Sequence, residues 1–338
     1  MPVNPALETL MLVFSPDEDG VPRDRCLFLG AEPHPALSEW SDIVGWQPLK
    51  PKADAWERAG FERIDHLGDR KFPLAIFLPG KSRDETLAGF AIARDALVPG
   101  GRIVTALPNT SGAARFEKEF AKATGEVESI QKHKCRAFHA VHGDSWNETL
   151  FDEWRALAIP RAIDGSPFVT TAGVFSEGRI DPGSKLLADH LPASIRGKVA
   201  DLGAGWGYLS DCVLRRCPDV ERVDLFEADA RALACARSNL ADHPSRDLGF
   251  HWHDVTTGVP GGFDAVVMNP PFHSGQAEDV GLGRSFLATA AAALRRGGRL
   301  FLVANRQLPY ESVLTELGFA HRSPAGNETY KLIFADKR

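Results

Sequence analysis

The sequence contains few cysteines and no excess of positive charge. Its five cysteines among 338 residues form no C-x-x-C pair, so neither a disulfide framework nor a cysteine zinc site is expected, and a reducing compartment is favoured. The formal net charge of -6 means that any nucleic-acid binding must use a local basic surface. The candidate basic groups are Lys132, Lys134 and Arg136 in one half and Arg295, Arg296 and Arg299 in the other.

Long apolar runs are absent as well. No stretch of about 20 apolar residues is present that could span a bilayer, and the N-terminus lacks a basic segment followed by a long apolar run. We therefore expect a soluble cytoplasmic protein. Because domains average roughly 150 residues, the length favours two of them.

Three blocks of the first half recur in the second half, in the same order and with nearly the same spacing. The paired blocks are 25–40 with 198–213, 72–81 with 263–272, and 96–106 with 293–303. One such match could arise by chance, but three in register indicate a duplicated domain.

Both halves alternate short apolar runs, rich in strand-forming residues, with stretches of helical periodicity. This alternation predicts an α/β fold with two tandem Rossmann-like domains, each built on a doubly wound, mostly parallel sheet. In the second half the predicted strands are 198–202, 222–226, 263–268 and 299–304, and 329–335 is expected to add an antiparallel strand. We place the first domain at 1–145, a linker helix at 146–160 and the second domain at 161–338.

A glycine-rich loop, residues 201–207 (DLGAGWG), follows the first strand of the second half. Glycines allow a tight turn and a close approach of backbone N–H groups to a ligand. Glu227, twenty residues after Gly207, is placed to accept hydrogen bonds from ribose hydroxyls, and Asp254 is placed to face an adenine amino group. Asp201 stands where a nicotinamide-binding loop has an apolar residue, and its carboxylate suits a cationic amino group. The pattern favours an adenosyl ligand over a dinucleotide.

The corresponding loop of the first half has lost this pattern. It reads Gly30-Ala31-Glu32-Pro33-His34, and Phe28 replaces Asp201. Glu32 would occupy the path of a cofactor, so we expect the first half to bind none.

The run Asn269-Pro270-Pro271-Phe272 comes directly after a predicted buried strand, at the edge of the sheet where ligands bind in open α/β folds. The prolines fix the backbone, so that the Asn269 side-chain oxygen and the Pro270 carbonyl can accept both hydrogens of a planar exocyclic amine. Phe272 can stack on the base that carries the amine. His273 is expected only to cap a turn.

The first-half counterpart of this run, Leu78-Pro79-Gly80-Lys81, lacks both the amide and the aromatic ring. We therefore expect a single catalytic half.

These motifs resemble the bacterial ribosomal RNA small subunit methyltransferase C family of guanine-N2 methyltransferases. The resemblance is carried by residues 173–187, 201–207, 269–273 and 297–314. It implies two class I methyltransferase domains with a degenerate N-terminal copy, and an S-adenosylmethionine cofactor that leaves as S-adenosylhomocysteine, without a metal. It also implies a flipped guanine of small-subunit ribosomal RNA as substrate. Ala204 and Trp206 depart from the usual loop.

The resemblance assigns roles by position. Those implied to hold the guanine and serve catalysis are Asn269, Pro270, Pro271 and Phe272. Those implied to bind the cofactor are Asp201, Gly203, Ala204, Gly205, Glu227, Ala228, Asp254, Val255 and Asn269.

Other functions remain open on the sequence alone. The same chemistry could act on a guanine of large-subunit RNA, on adenine N6 or on a protein glutamine amide. A more distant alternative is an inactive adenosyl-binding or RNA-chaperone scaffold. A monomer is expected, since the duplication already supplies a pseudo-dimer. The expected partner is the small ribosomal subunit or an assembly intermediate of it.

Overall fold

The computed structural model of the chain describes residues 4–14, 25–243, 247–271 and 277–338. The chain divides into two compact units, Met1–Pro160 and Arg161–Arg338. Each unit contains one seven-stranded sheet.

The strands of the first unit are β1 (Cys26–Leu29), β2 (Ile43–Trp46), β3 (Glu62–Arg63), β4 (Phe72–Phe77), β5 (Leu97–Pro108), β6 (Glu128–Lys132) and β7 (Cys135–Val141). Its described α-helices are α1 (Pro5–Met11), α2 (Lys50–Arg58), α3 (Arg83–Asp95), α4 (Ala113–Thr124) and α5 (Glu148–Ala156). A 3-10 helix covers Pro35–Glu39, directly after the first βα loop.

The second unit opens with a small hairpin of β8 (Arg161–Ala162) and β9 (Val169–Thr170). Its sheet contains β10 (Gly197–Leu202), β11 (Val220–Glu227), β12 (Asp247–Trp252), β13 (Phe263–Met268), β14 (Leu294–Asn305), β15 (Phe319–Arg322) and β16 (Tyr330–Lys337). The described α-helices are α6 (Pro182–His190), α7 (Tyr208–Arg216), α8 (Ala230–Asn239), α9 (Ala277–Ala293) and α10 (Tyr310–Glu316).

The two sheets have the same topology. The strand order is β3-β2-β1-β4-β5-β7-β6 in the first unit and β12-β11-β10-β13-β14-β16-β15 in the second. In each sheet the first five strands are parallel, and the last two pair antiparallel. The predicted tandem of doubly wound, mostly parallel sheets is confirmed, and the predicted antiparallel strand at 329–335 is β16.

The central strands are apolar because helices cover both faces of each sheet. In β1, Leu27 and Leu29 pack with α3, α4 and α5, whereas Cys26 and Phe28 pack with α1 and α2. In β10, Val199 packs with the α6–α8 layer. Ala200 and Leu202 pack with α9 and α10. By the same alternation Asp201 faces the α6–α8 layer, inside the protein.

The segment 146–160, expected to be a linker helix, carries α5 and packs within the first unit. Trp146, Phe151 and Trp154 belong to the apolar core shared with α3 and α4. The Arg155 guanidinium donates to both carboxylate oxygens of Asp95, at 2.6 Å each. Burial of three aromatic rings fixes this helix to the first sheet.

Gly30 and Gly60 of the first unit differ in how closely other atoms pack around them. Gly30 has φ +70°, and a Cβ there would lie 2.4 Å from the Leu78 carbonyl oxygen. Gly60 has φ +89°, but a Cβ there would meet nothing within 4 Å. Gly60→Ala should therefore cost only the left-handed backbone penalty of about 1–2 kcal/mol. Gly30→Ala should cost roughly 1–3 kcal/mol more because of the clash. Urea unfolding of both variants checks this, and equal losses would contradict the packing.

Candidate active site

The glycine loop of the second unit is a tight turn between β10 and α7. Gly203, Gly205 and Gly207 have φ values of 73°, 55° and 90°, which favour glycine at all three positions. The N–H groups of Gly203 and Ala204 donate to the Phe226 carbonyl oxygen at 2.9 and 3.2 Å. The loop is thereby tied to the end of the neighbouring strand β11.

Glu227 is the last residue of β11, and its carboxylate binds the same loop. One oxygen accepts the Gly205 N–H and the other accepts the Asp229 N–H, both at 2.7 Å. Burial raises the pKa of this carboxyl group above its usual value. Each oxygen can accept a second hydrogen bond, so the carboxylate remains able to bind a hydroxyl group, as the sequence predicts.

Asp201 is completely buried. The Ser210 hydroxyl, from α7, donates to its Oδ2 at 2.7 Å. Its Oδ1 has no hydrogen-bond partner within the described part of the chain. Burial raises the pKa of Asp201 to about 7, and the negative charge of Glu227 adds to the increase. An unpartnered buried acid of this kind is typical of ligand sites.

The next predicted cofactor residues have local structural contacts. Asp254 Oδ1 accepts both the N–H and the hydroxyl of Thr256, at 2.9 and 2.7 Å, and caps the 3-10 helix Val255–Thr257. The Val255 carbonyl accepts from the Thr289 hydroxyl at 2.8 Å. The Ala228 carbonyl accepts from the Trp252 indole N–H at 2.8 Å. Their roles in binding adenine stay predictions.

Asn269 directly follows β13 and is half-buried. Its Nδ2 donates to Asp181 Oδ2 at 2.9 Å and to Ser184 Oγ at 2.8 Å. Its Oδ1 is buried and has no hydrogen-bond partner among the residues described. Pro270 is buried and Pro271 is exposed, whereas Phe272 and His273 lie outside the described residues.

A cleft brings part of the predicted site together. Of the predicted site residues, Gly203, Ala204, Gly205 and Asn269 line it. Within the described ranges, the predicted residues that do not line it are Asp201, Glu227, Ala228, Asp254, Val255, Pro270 and Pro271. The remaining lining residues are Phe175, Ser176, Asp181, Ser184, Trp206, Tyr208 and Leu209.

Sequence reasoning missed the contribution of the segment before β10 to this cleft. Asp181 caps α6 by accepting the Ser184 N–H at 2.8 Å, with Pro182 at the first helical position. An Asp-Pro pair is a recognisable helix start. That signal could have located the cap, but it carries no information about the contact with Asn269, 88 residues away.

The chain is similar to known methyltransferases over both units. The Methyltransferase small domain family model matches residues 165–334. The ribosomal RNA small subunit methyltransferase C of Shewanella sp. (strain MR-4) is 30% identical over 95% of this chain and 92% of its own length. That of Pseudomonas paraeruginosa (strain DSM 24068 / PA7) is 35% identical over 71% of each chain.

The same relationship holds in three dimensions. The solved structure of the T. thermophilus 16S rRNA N2 G1207 methyltransferase in complex with AdoMet and guanosine aligns with a TM-score of 0.82. It is 26% identical and covers 100% of this chain and 93% of that one. The chain belongs to the ribosomal RNA small subunit methyltransferase C family. The predicted family and the predicted two-domain methyltransferase fold are confirmed.

Trp206, unusual in a glycine loop, directs its indole into an apolar cluster of the second unit. The ring is 3% exposed and packs against Phe168 and Tyr208, with centroid distances of 5.3 and 5.7 Å. Ile163 and Val174 complete one side of this cluster. A bulky residue is therefore compatible with the loop of this family member.

The loop of the first unit keeps the turn but not the open space. The N–H groups of Gly30 and Ala31 donate to the Trp46 carbonyl at 2.9 and 3.3 Å, as the loop of the second unit does with Phe226. Glu32 takes the place of Gly205, and its carboxylate accepts from Asn4 at 3.2 Å and Lys52 at 2.6 Å. The Glu32 side chain thus occupies the space that the loop of the second unit leaves open at Gly205.

The basic residues considered for RNA contacts are partly engaged within their own units. Arg136 forms an ion pair with Glu117. Arg295 donates to Asp264 at 2.6 Å, and Arg299 donates to the Ser194 hydroxyl at 3.2 Å. The last two line a cleft at the amino-terminal ends of the strands of the second sheet, and their contact with RNA stays a prediction.

Among the helices described, none is both long and apolar enough to cross a bilayer. No group of three or more His, Cys, Asp or Glu residues in the described ranges is arranged to hold a metal ion.

The buried acid Asp201 makes stability depend on pH. Burial raises the pKa of its carboxyl group from about 3.8 in the unfolded chain to about 7 in the folded protein. Because the folded protein binds this proton more tightly than the unfolded chain does, protonation of Asp201 stabilises the fold. This stabilisation is fully present below pH 4 and is lost as the pH rises to about 7. Asp201→Asn cannot ionise. Relative to the parent protein it should gain up to about 1.4 kcal/mol of stability per pH unit across this window. Urea unfolding at pH 5, 6, 7 and 8 measures the difference; a constant difference would disprove the assignment.

Proposed function

We propose that this chain transfers the methyl group of S-adenosylmethionine to the exocyclic N2 amine of a guanine in small-subunit (16S) ribosomal RNA. The observation that carries the proposal is the side chain of Asn269, which lines the cleft of the glycine loop and whose buried Oδ1 has no partner among the described residues. Membership of the family and the likeness to a methyltransferase solved with AdoMet and guanosine support it. The protein is thus an S-adenosylmethionine-dependent rRNA methyltransferase.

The second unit fits this cofactor. Asp201 Oδ1 is a buried acceptor without a partner among the described residues, and a Cβ on Gly205 would meet nothing within 4 Å. Glu227 is placed beside the loop to accept from ribose hydroxyls. The residues proposed to hold the cofactor are Asp201, Gly203, Ala204, Gly205, Glu227, Ala228, Asp254, Val255 and Asn269. When bound, S-adenosylmethionine supplies an electrophilic methyl group on a sulfonium and leaves as S-adenosylhomocysteine.

The residues of the chain act by holding the amine. The N2 nitrogen of guanine is a poor nucleophile because its lone pair is delocalised into the ring. Asn269 Oδ1 and the Pro270 carbonyl accept its two hydrogens, which favours a more tetrahedral nitrogen with a localised lone pair. The role we propose for Phe272, which lies outside the described residues, is to stack on the flipped base and fix its plane. Catalysis then depends on orientation and electrostatics. Once the new N–C bond has formed, the nitrogen carries a positive charge and releases one proton to water, so no strong general base is needed.

The domain roles follow from the contrast between the two units. We propose that residues 161–338 form the catalytic domain and that residues 1–145 form a degenerate, non-catalytic copy that supports or recognises the RNA. The whole acts as a cytoplasmic monomer on the small subunit or on an assembly intermediate.

Methyl transfer to isolated acceptors tests the proposal. Labelled S-adenosylmethionine is incubated with small subunits, large subunits, naked ribosomal RNA and protein release factors, and the modified residue is mapped. Label should appear on a guanine N2 of small-subunit RNA. Asn269→Ala should lower the rate by at least ~100-fold, the scale of losing a transition-state acceptor, and should lower cofactor affinity much less, because the other eight proposed cofactor residues remain. Label on protein alone, or an undiminished rate in the variant, would refute the assignment.

The stoichiometry of cofactor binding tests the difference between the units. Calorimetry on the full chain should find one molecule of S-adenosylmethionine per chain. Gly205→Glu copies Glu32 of the first unit and should abolish that binding, since a carboxylate side chain fills the cleft. Glu32→Gly is the matched control and should leave one site with unchanged affinity. Two sites in the parent protein would show that the first unit also binds.

A further inference from the structure

The amide of Asn269 is held by two side chains from the first turn of α6. Asp181 Oδ2 and Ser184 Oγ both receive hydrogen bonds from Nδ2, at 2.9 and 2.8 Å. Ser184 is 7% exposed, and both partners line the same cleft as Asn269. The two hydrogens of Nδ2 are therefore fully used, and the oxygen of the same amide is left without a partner within the described residues.

This arrangement decides which end of the amide a substrate meets. The oxygen and nitrogen ends of an asparagine side chain have nearly the same shape, and rotation by half a turn exchanges them. Only the oxygen can accept a hydrogen from an amine. A carboxylate accepts hydrogen bonds and cannot donate them, so Asp181 stabilises the orientation with Nδ2 towards α6. The reversed amide would place two acceptors, Oδ1 and a carboxylate oxygen, against each other.

We infer that Asp181 and Ser184 are positioning residues of the transfer reaction: they hold the amide of Asn269 so that its Oδ1 faces the guanine amine. The inference rests on the proposed function. In this role Asp181 and Ser184 affect catalysis only through the orientation of Asn269.

Helix capping alone is the competing explanation for Asp181, because its Oδ2 also accepts the Ser184 N–H at 2.8 Å. The first unit offers an internal comparison. Its α1 precedes β1 as α6 precedes β10, begins with proline, and is capped by Asn4, which accepts the Ala6 N–H at 3.0 Å. A neutral residue therefore caps this helix position in the same fold.

Ser184 and Asn269 are also replaced in the first unit. Leu7, three residues after the cap, stands at the position of Ser184, and Leu78 stands at the position of Asn269. Both leucines are buried in one apolar cluster. The copy without the amide has thus lost the hydroxyl that orients it, whereas the helix and its cap remain.

Methyl transfer by substituted full-length protein tests the inference. Asp181→Ala should lower kcat by about 10- to 100-fold and Ser184→Ala by roughly 3- to 10-fold, as expected for losing hydrogen bonds to an oriented group. The KM for RNA and the affinity for S-adenosylmethionine should each stay within about threefold. Asp181→Asn keeps an acceptor oxygen and should recover most of the lost rate.

A matched control separates positioning from capping. Asn147 caps α5 in the first unit by accepting the Leu150 N–H at 3.1 Å, with the same three-residue spacing. Asn147→Ala should lose as much thermal stability as Asp181→Ala but keep the parent kcat. Equal losses of kcat in the two variants would show that Asp181 acts only as a helix cap. A large loss of cofactor affinity in Asp181→Ala would make it a cofactor ligand instead.

Binding of nucleosides distinguishes failure of the inference from failure of the proposed function. Guanosine carries the N2 amine and inosine lacks it, and their affinities are compared in the presence of S-adenosylhomocysteine. The parent protein and Asn147→Ala should prefer guanosine by about tenfold, the scale of one good hydrogen bond to an amine. Asp181→Ala should bind the two nucleosides equally. No preference in the parent protein would refute guanine as the target, whereas a preference retained in Asp181→Ala would refute only the positioning role.

Discussion

Two backbone hydrogen bonds to the Phe226 carbonyl hold the turn on which the candidate site depends. Because the N–H groups of Gly203 and Ala204 donate to this carbonyl, the loop must turn back over the end of β11. The next N–H group, that of Gly205, donates to the Glu227 carboxylate. The backbone then leaves a cleft instead of a packed interface. The position of the glycine loop in the site follows from this strand-end contact.

The first unit shows that the turn belongs to the fold and not to the ligand. Trp46 accepts the N–H groups of Gly30 and Ala31 in the same manner, although Glu32 fills the adjacent space. The fold therefore requires the strand-end hydrogen bonds, whereas the open space beside Gly205 is required only by a ligand. Comparing the two units separates these requirements within one chain.

Much of the fold could be predicted from the sequence, because duplication and strand-helix alternation are local patterns repeated twice. The glycine loop, Glu227 and Asn269 could be found for the same reason, since strand-end motifs are local. The orientation of Asn269 could not, because Asp181 lies 88 residues earlier in the chain and only the packing of α6 brings the two together. The direction of the Trp206 ring likewise depends on Phe168, which comes from the β8–β9 hairpin.

The buried acids of the second unit are explained by function more readily than by folding. Asp201 is fully buried, and its Oδ1 has no partner among the described residues. Burial raises the pKa of both Asp201 and Glu227. Ionisation of either acid near neutral pH therefore makes the fold less stable.

At the same positions the first unit has Phe28, fully buried against Trp56, and Gln47. The Gln47 amide donates to the Ala31 carbonyl at 2.9 Å and accepts the Leu49 N–H at 3.1 Å. A neutral amide thus makes the contact to the following turn that Glu227 makes to Asp229, without the cost of burying a charge. The same fold forms with both acids replaced. We therefore propose that the second unit keeps both acids because they bind a ligand with hydroxyl and cationic amino groups.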